Sequence, residues 1–187
     1  TSKDVWPVGA NGVVDLGWLK DEVAKLKRQG YRPLVSLMLV NNETGVIQPV
    51  AEAAEIVHAA GGLIHCDAIQ GLGKTEVSII ETDVDYLSLS AHKIGGPVGV
   101  GALLVRRGVQ IEPLFHGGSQ QAQRSGTQDA AGAAAFGVAA WGDALAAAKG
   151  GAFAAAPEAM HTRRLLDEAR VMVRLNHVKD RKSTRLN

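Results

Sequence analysis

Lys93 stands in the stretch SLSAHKIGGPVGVG, with Ser90 and His92 just before it and a run of glycines just after. Asp67 and Gln70 lie in HCDAIQG, and Asn42 lies in NNETG. A lysine at the end of an apolar segment, with no acid adjacent in sequence, has its ammonium form disfavoured. It then behaves as an amine nucleophile that adds to an aldehyde to give a Schiff base. An aldehyde cofactor such as pyridoxal phosphate asks for three further things: an acid at its ring nitrogen, donors at its phenolic oxygen, and hydroxyls or N–H groups around its phosphate. Asp67 suits the first role, Gln70 with Asn42 the second, and Ser90 with His92 the third. The acid is central, because a protonated ring nitrogen lets the ring accept electrons from the substrate carbon.

Other chemistries compete for the same residues. Ser90-Ala-His-Lys93 is an S-x-x-K pattern, which in penicillin-recognising enzymes sets a nucleophilic serine one helical turn from its activating lysine. That arrangement needs a helix, whereas strand-like sequence precedes Ser90, a glycine-proline turn follows Lys93, and neither S-D-N nor K-T-G occurs. Gly99-Val-Gly101 lacks a third glycine and leads into a strand where a dinucleotide site requires a helix. His65, Cys66 and Asp67, taken with His92, invite a metal, but successive strand residues point to opposite faces and share an ion poorly. Cys66 reads as a small apolar core residue. His58, His65 and His116 read as structural or solvated, and Glu43 reads as a local cap or ion partner as readily as a group that acts on substrate.

These residues need a scaffold to bring them together. Trp18, Leu19, Val23 and Leu26 recur at helical spacing ahead of Gly30, which predicts a helix over 17–29. LVSLMLV, from Leu34 to Val40, reads as a buried strand. A second helix should start near Pro49, carry Val50, Ile56 and Val57 on one face, and stop at Gly61 and Gly62. LIHC, VDYLSLS and VGALLVR supply three more strands, the last two separated only by the glycine-rich segment after Lys93. Residues 130–149 and 157–175 read as helices, and the Ala/Gly-rich stretch 144–156 as the best candidate linker. Strands alternating with helices imply an α/β layer with a mainly parallel sheet, whose ligands sit beyond the carboxyl ends of the strands. Asn42, Asp67 and Ser90 to Lys93 all fall at such ends.

Composition limits the remaining possibilities. With 187 residues, 46% of them hydrophobic and 21% charged, the chain can bury the core of one domain. A net charge of +1 gives no electrostatic reason to expect nucleic acid or a membrane surface as partner. The longest apolar run, 130–142, falls short of the roughly 18 residues that a spanning helix requires. A single cysteine and the lack of a signal-peptide pattern suit a cytoplasmic setting without disulfides. The chain reads as entered midway at Thr1, and DRKSTRLN, residues 180–187, reads as a non-native, adapter-like tail.

The stretches NNETGVIQP, HCDAIQGLGK, DYLSLSAHKIGGPVGVGALLVRRG and RSGT, in this order and spacing, resemble the NifS/IscS-like cysteine desulfurases of the class V aminotransferase type. The likeness runs from about Val5 to Leu166. It implies the large cofactor domain of a pyridoxal-phosphate-dependent transferase of fold type I, incomplete here. Residues 1–149 would be part of that domain and 150–179 a helix leading toward a C-terminal small domain. Lys93 matches the Schiff-base lysine and Asp67 the partner of the ring nitrogen. Gln70 matches the residue at the phenolic oxygen, Asn42 one beside the cofactor and the substrate carboxylate, and Ser90 and His92 the phosphate ligands. Thr127, in RSGT, matches a threonine that reaches the phosphate of the neighbouring subunit's cofactor, which implies a homodimer with shared sites. The reaction implied takes sulfur from L-cysteine, leaves L-alanine, and passes an enzyme persulfide to a sulfur-acceptor or scaffold protein for iron–sulfur cluster assembly or thiolation. The family's persulfide cysteine and substrate arginine have no counterpart among these residues, so the chain alone is expected not to turn over cysteine. Selenocysteine lyases, kynureninases and class V transaminases share the lysine and the aspartate and are the enzymatic alternatives. A non-catalytic pyridoxal-phosphate-binding piece is the other.

Overall fold

Asp15 opens the first helix by accepting the Trp18 N–H at 3.0 Å on its Oδ1, satisfying one of the donors that a helix start leaves unpaired. Helix α1, Leu16–Arg28, buries Leu19 and Val23, and Lys25, Lys27 and Arg28 lie in its last turn, where the helix dipole favours positive charge. The chain then enters β1, Leu34–Met38, and returns through α2, Val50–Ala59, to β2, Leu63–Asp67. A longer loop leads to β3, Tyr86–Ser90. A single 3₁₀ turn, Ala91–Ile94, carries the chain to β4, Val100–Val105. Helix α3, Ala130–Ala148, and strand β5, Arg170–Leu175, complete the elements of this computed structural model, which describes residues 4–118, 123–148 and 170–175.

The five strands lie in the order β1-β2-β3-β4-β5. β1, β2 and β3 run parallel, with Leu37 opposite Cys66 and Cys66 opposite Leu87. β4 is antiparallel to β3, and β5 to β4. The sheet is mainly parallel, as expected, with β4 alone running against the other four strands: the connection after Ser90 is too short for the crossover that a parallel pair requires, so β4 must turn back. Leu37, Ile64, Cys66, Leu87, Ala102 and Leu104 share one sheet face and join Leu19, Val23, Ala53, Ala54 and Val57 in a single core. Helix α2 sits so tightly that a Cβ on Gly62 would approach Pro33 O and Val57 Cγ1 to 2.8 Å.

Two expectations are corrected. Arg170–Leu175 is a strand and not the end of a helix: RVMVRL alternates β-branched with other residues, and β4 offers it a free edge to pair with. The Ala/Gly-rich stretch read as a linker from Ala144 begins inside α3, which continues to Ala148. The rest of that stretch, and the rest of the helix expected over 157–175, lie outside the described residues.

The amino ends of the strands are tied by charge. Asp85, 1% exposed, accepts the Ile64 N–H at 2.8 Å and lies 2.7 Å from Arg106 Nη2 and 3.0 Å from His58 Nε2. Arg106 also pairs with Asp83, which is 3.2 Å from His58 Nδ1. Burial pushes the Asp85 carboxyl up, but the hydrogen bonds from His58, Ile64 and Arg106, with the Arg106 charge, outweigh it and hold the group below the usual carboxylate range.

Candidate functional site

The parallel arrangement of β1, β2 and β3 sends their carboxyl ends to one rim, and the residues expected to do chemistry collect there. Asp67 is the last residue of β2, with Met38 of β1 and Ser88 of β3 as its register partners. Its Oδ1 accepts the Ile69 N–H at 3.0 Å, a local turn that fixes the carboxylate as the strand ends. Among the described residues Oδ2 has no hydrogen-bond partner, so one oxygen is held and the other is available.

Ser90 ends β3 two residues beyond Ser88, on the same face as Asp67. Its Oγ lies 2.8 Å from His92 Nδ1. When the hydroxyl donates to Nδ1, the ring carries its proton on Nε2, where it can be donated to an anion. His92 and Lys93 sit on the 3₁₀ turn, and Gly95 caps it at φ 78°, a conformation that side chains rarely adopt. A Cβ on Gly96 would approach Ala91 Cβ to 2.9 Å, so the turn that holds Lys93 is specified by glycine twice over. Lys93 is half-buried.

Asn42 is exposed in the turn after β1, which its neighbour organises. Asn41 Oδ1 accepts the N–H groups of Glu43 and Thr44, each at 2.9 Å. Gln48 anchors the loop from the other side, accepting Val14 N–H at 3.0 Å and donating to Gly12 O at 2.8 Å. Gln70 is half-buried and accepts from Lys74 Nζ at 3.3 Å, which leaves its amide donors unengaged by that contact. Thr127 is exposed in the loop before α3, where Ser125 Oγ donates to Gly118 O at 2.8 Å. Topology thus brings Asn42, Asp67, Gln70, Ser90, His92 and Lys93 to one end of the sheet, while Thr127 stands in a separate loop.

Several alternatives meet physical obstacles. Ser90 is a strand residue whose hydroxyl is occupied by His92, so it lacks the helical pairing with Lys93 that the S-x-x-K reading requires. Cys66 is fully buried, and burial first, then the Asp67 charge, pushes its thiol up to about 12; as a neutral thiol it is a poor nucleophile. Among the described residues no group of three His, Cys, Asp or Glu side chains could hold a metal ion, and no helix is long and apolar enough to cross a membrane. A cleft of about 490 Å³ lined by Arg32, His58, Leu63, Asp85, Arg106 and Gln110 opens at the amino ends of the strands. Asp85 is paired there with Arg106 and His58, Arg32 donates to Gly61 O, and the cleft stands at the opposite end of the sheet from Lys93.

One polar row escapes a reading of single motifs. His65, expected to be structural or solvated, bridges Ser36 on β1 and Ser88 on β3. The available signal is a polar residue at the same-face position of three strands, which becomes a row only once their register is known.

The aminotransferase class-V family profile matches residues 4–175. A curated cysteine desulfurase of Cereibacter sphaeroides is 52% identical over 108 residues, 57% of this chain and 28% of that protein. One of Klebsiella pneumoniae is 49% identical over 107 residues, 57% of this chain and 27% of the relative. The crystal structure of a NifS-like protein from Rickettsia africae superposes with a TM-score of 0.67 at 36% identity, over 73% of this chain and 38% of that one. The chain therefore spans between a quarter and two fifths of the length of these relatives.

Proposed function

The chain belongs to the class V aminotransferase family, and from that premise we propose that it forms the cofactor-holding part of a pyridoxal-phosphate-dependent cysteine desulfurase. The observation that carries the proposal is the rim itself: a lysine on a glycine-defined turn, a carboxylate with one oxygen held and one open, and a serine–histidine pair, all at the carboxyl ends of adjoining strands. This donor set fits pyridoxal phosphate. Lys93 would hold the aldehyde carbon covalently, and Asp67 Oδ2 would keep a proton on the ring nitrogen. Gln70 would donate to the phenolic oxygen. Ser90 and His92 would hold the phosphate, and Asn42 would lie beside the cofactor and the substrate carboxylate. Once bound, the cofactor supplies an electron sink for the substrate carbon. The protein's own share is to orient that ring, keep its nitrogen protonated and retain the phosphate.

The family's desulfurase members favour L-cysteine as substrate, with L-alanine as product and a persulfide passed to a sulfur-acceptor or scaffold protein. They also favour a homodimer in which Thr127 reaches the neighbouring subunit's phosphate, in the cytoplasm. The identities of about one half to curated desulfurases favour this activity over selenocysteine lyase, kynureninase or transaminase.

The test is direct. The 187-residue chain is titrated with pyridoxal phosphate, and the resulting absorbance is followed by borohydride reduction and peptide mapping. The cofactor should be found on Lys93, and Lys93→Ala should abolish the signal. A chain that takes up no cofactor, or takes it up equally after Lys93→Ala, overturns the reading. A β-lactam probe that labels Ser90 would favour the serine-nucleophile alternative instead.

A further inference from the structure

The sheet face that carries Asp67 also carries a row of polar side chains. His65 stands two residues before Asp67 on β2, so both project from the same face. Its Nδ1 lies 2.8 Å from Ser36 Oγ, and its Nε2 reaches diagonally to Ser88 Oγ at 2.7 Å. Ser88 is the register partner of Asp67. A neutral imidazole has one donor and one acceptor, so one serine donates to the ring and the other accepts from it. Burial pushes the basicity of His65 down, against a smaller upward pull from the Asp67 charge. The ring is therefore not a cation competing for Asp67.

In the tautomer that is protonated on Nδ1, Ser36 accepts from the ring and the single proton of the Ser88 hydroxyl, on the register partner of Asp67, is committed to Nε2. Asp67 accepts the Ile69 N–H on Oδ1, and no side chain among the described residues reaches Oδ2. A serine hydroxyl without His65 would be free to rotate and donate to the adjacent carboxylate. That would withdraw charge from the oxygen that a ring nitrogen needs.

We propose that His65 is a positioning residue that acts through Ser88: with Nδ1–H donating to Ser36 and Nε2 accepting the Ser88 O–H, it keeps Asp67 Oδ2 open for the ring nitrogen of pyridoxal phosphate. The inference rests on the reading of Asp67 as the partner of that nitrogen. It differs from a purely structural role for His65, in which loss of either bridge would weaken the sheet and removal of Ser88 could repair nothing.

Four forms of the chain separate these roles: unsubstituted, His65→Phe, Ser88→Ala, and the double variant. Each is titrated with pyridoxal phosphate by absorbance, and its melting temperature is measured without cofactor. His65→Phe should weaken cofactor affinity about tenfold, the scale of one charge-assisted hydrogen bond at the Asp67 carboxylate. The double variant should regain most of that loss, because the released hydroxyl is gone. Where His65→Phe does not fold, His65→Asn replaces it. In the cofactor-free chain, ¹⁵N shifts of His65 should show Nδ1 protonated and Nε2 unprotonated, and Ser88→Ala should move the Nε2 resonance; a protonated Nε2 overturns the inference. Unchanged affinity in His65→Phe, or no recovery in the double variant, beside a Lys93-dependent signal in the unsubstituted chain, overturns this inference alone. Lack of any Lys93-dependent signal overturns the cofactor reading and the inference with it.

Discussion

Neighbouring residues on β2 have opposite fates, set by the face each one occupies. Cys66 points into the core and Asp67 toward the polar face, although one peptide bond joins them. The thiol, pushed up to about 12, stays protonated and shielded. It should resist alkylating reagents in the native chain and react only as the chain unfolds, so labelling rates should track denaturant concentration; rapid labelling without denaturant would contradict the assignment. His65 gives a pH dependence of defined sign. Its basicity is lowered in the folded state, so the unfolded chain binds the proton more readily and stability declines as pH falls below about 6.5. Denaturant titrations across that range should show the decline, and His65→Phe should remove part of it. Motif reading leaves this residue without a specific role because Ser36, His65 and Ser88 lie in three separate strands, and only pairing makes them neighbours.

At the scale of elements, boundaries are legible in the sequence where local chemistry fixes them. Gly30 closes α1, and the run from Leu34 onward marks β1, because a positive-φ glycine and a short branched run are signals contained in a few residues. The direction of β4 is legible only indirectly, from the short connection after Ser90. β5 escapes a sequence reading because six residues, four apolar and two arginines, fit helix and strand equally, and pairing with β4 decides the matter. The same logic yields measurable costs. Asp15→Ala should destabilise the chain by about 1 kcal/mol in denaturant titrations, through loss of the α1 cap. Gly95→Ala should cost roughly 1 kcal/mol, since its φ of 78° places a Cβ in the disfavoured left-handed region. It should also lower cofactor uptake, because the strain falls on the turn that presents Lys93.

At the scale of the whole molecule, the two ends of the sheet are specialised differently. The carboxyl ends offer donors and acceptors to a ligand, whereas the amino ends pair theirs with each other through Asp85, Asp83, Arg106 and His58. Asp85→Ala leaves Arg106 without its buried partner and should cost about 3 kcal/mol. The Asp85 carboxyl is held low in the fold, so its contribution is present above about pH 4 and is lost as pH falls through the depressed folded value. Acid titration of the Asp85→Ala chain should accordingly be flatter than that of the unsubstituted one.

The antiparallel pairing of β3 and β4 also bears on the order in which the chain folds. Every contact of that pair closes a loop of about twenty residues or fewer, whereas β1 meets β2 only after the α2 crossover has been laid down. The hairpin is thus a local nucleus, and Lys93 rides at its tip. In pulsed hydrogen exchange during refolding, the Leu87 and Leu104 amides should gain protection before that of Leu37, so the turn bearing the lysine takes shape before the carboxylate it is expected to work with is fixed between its neighbours.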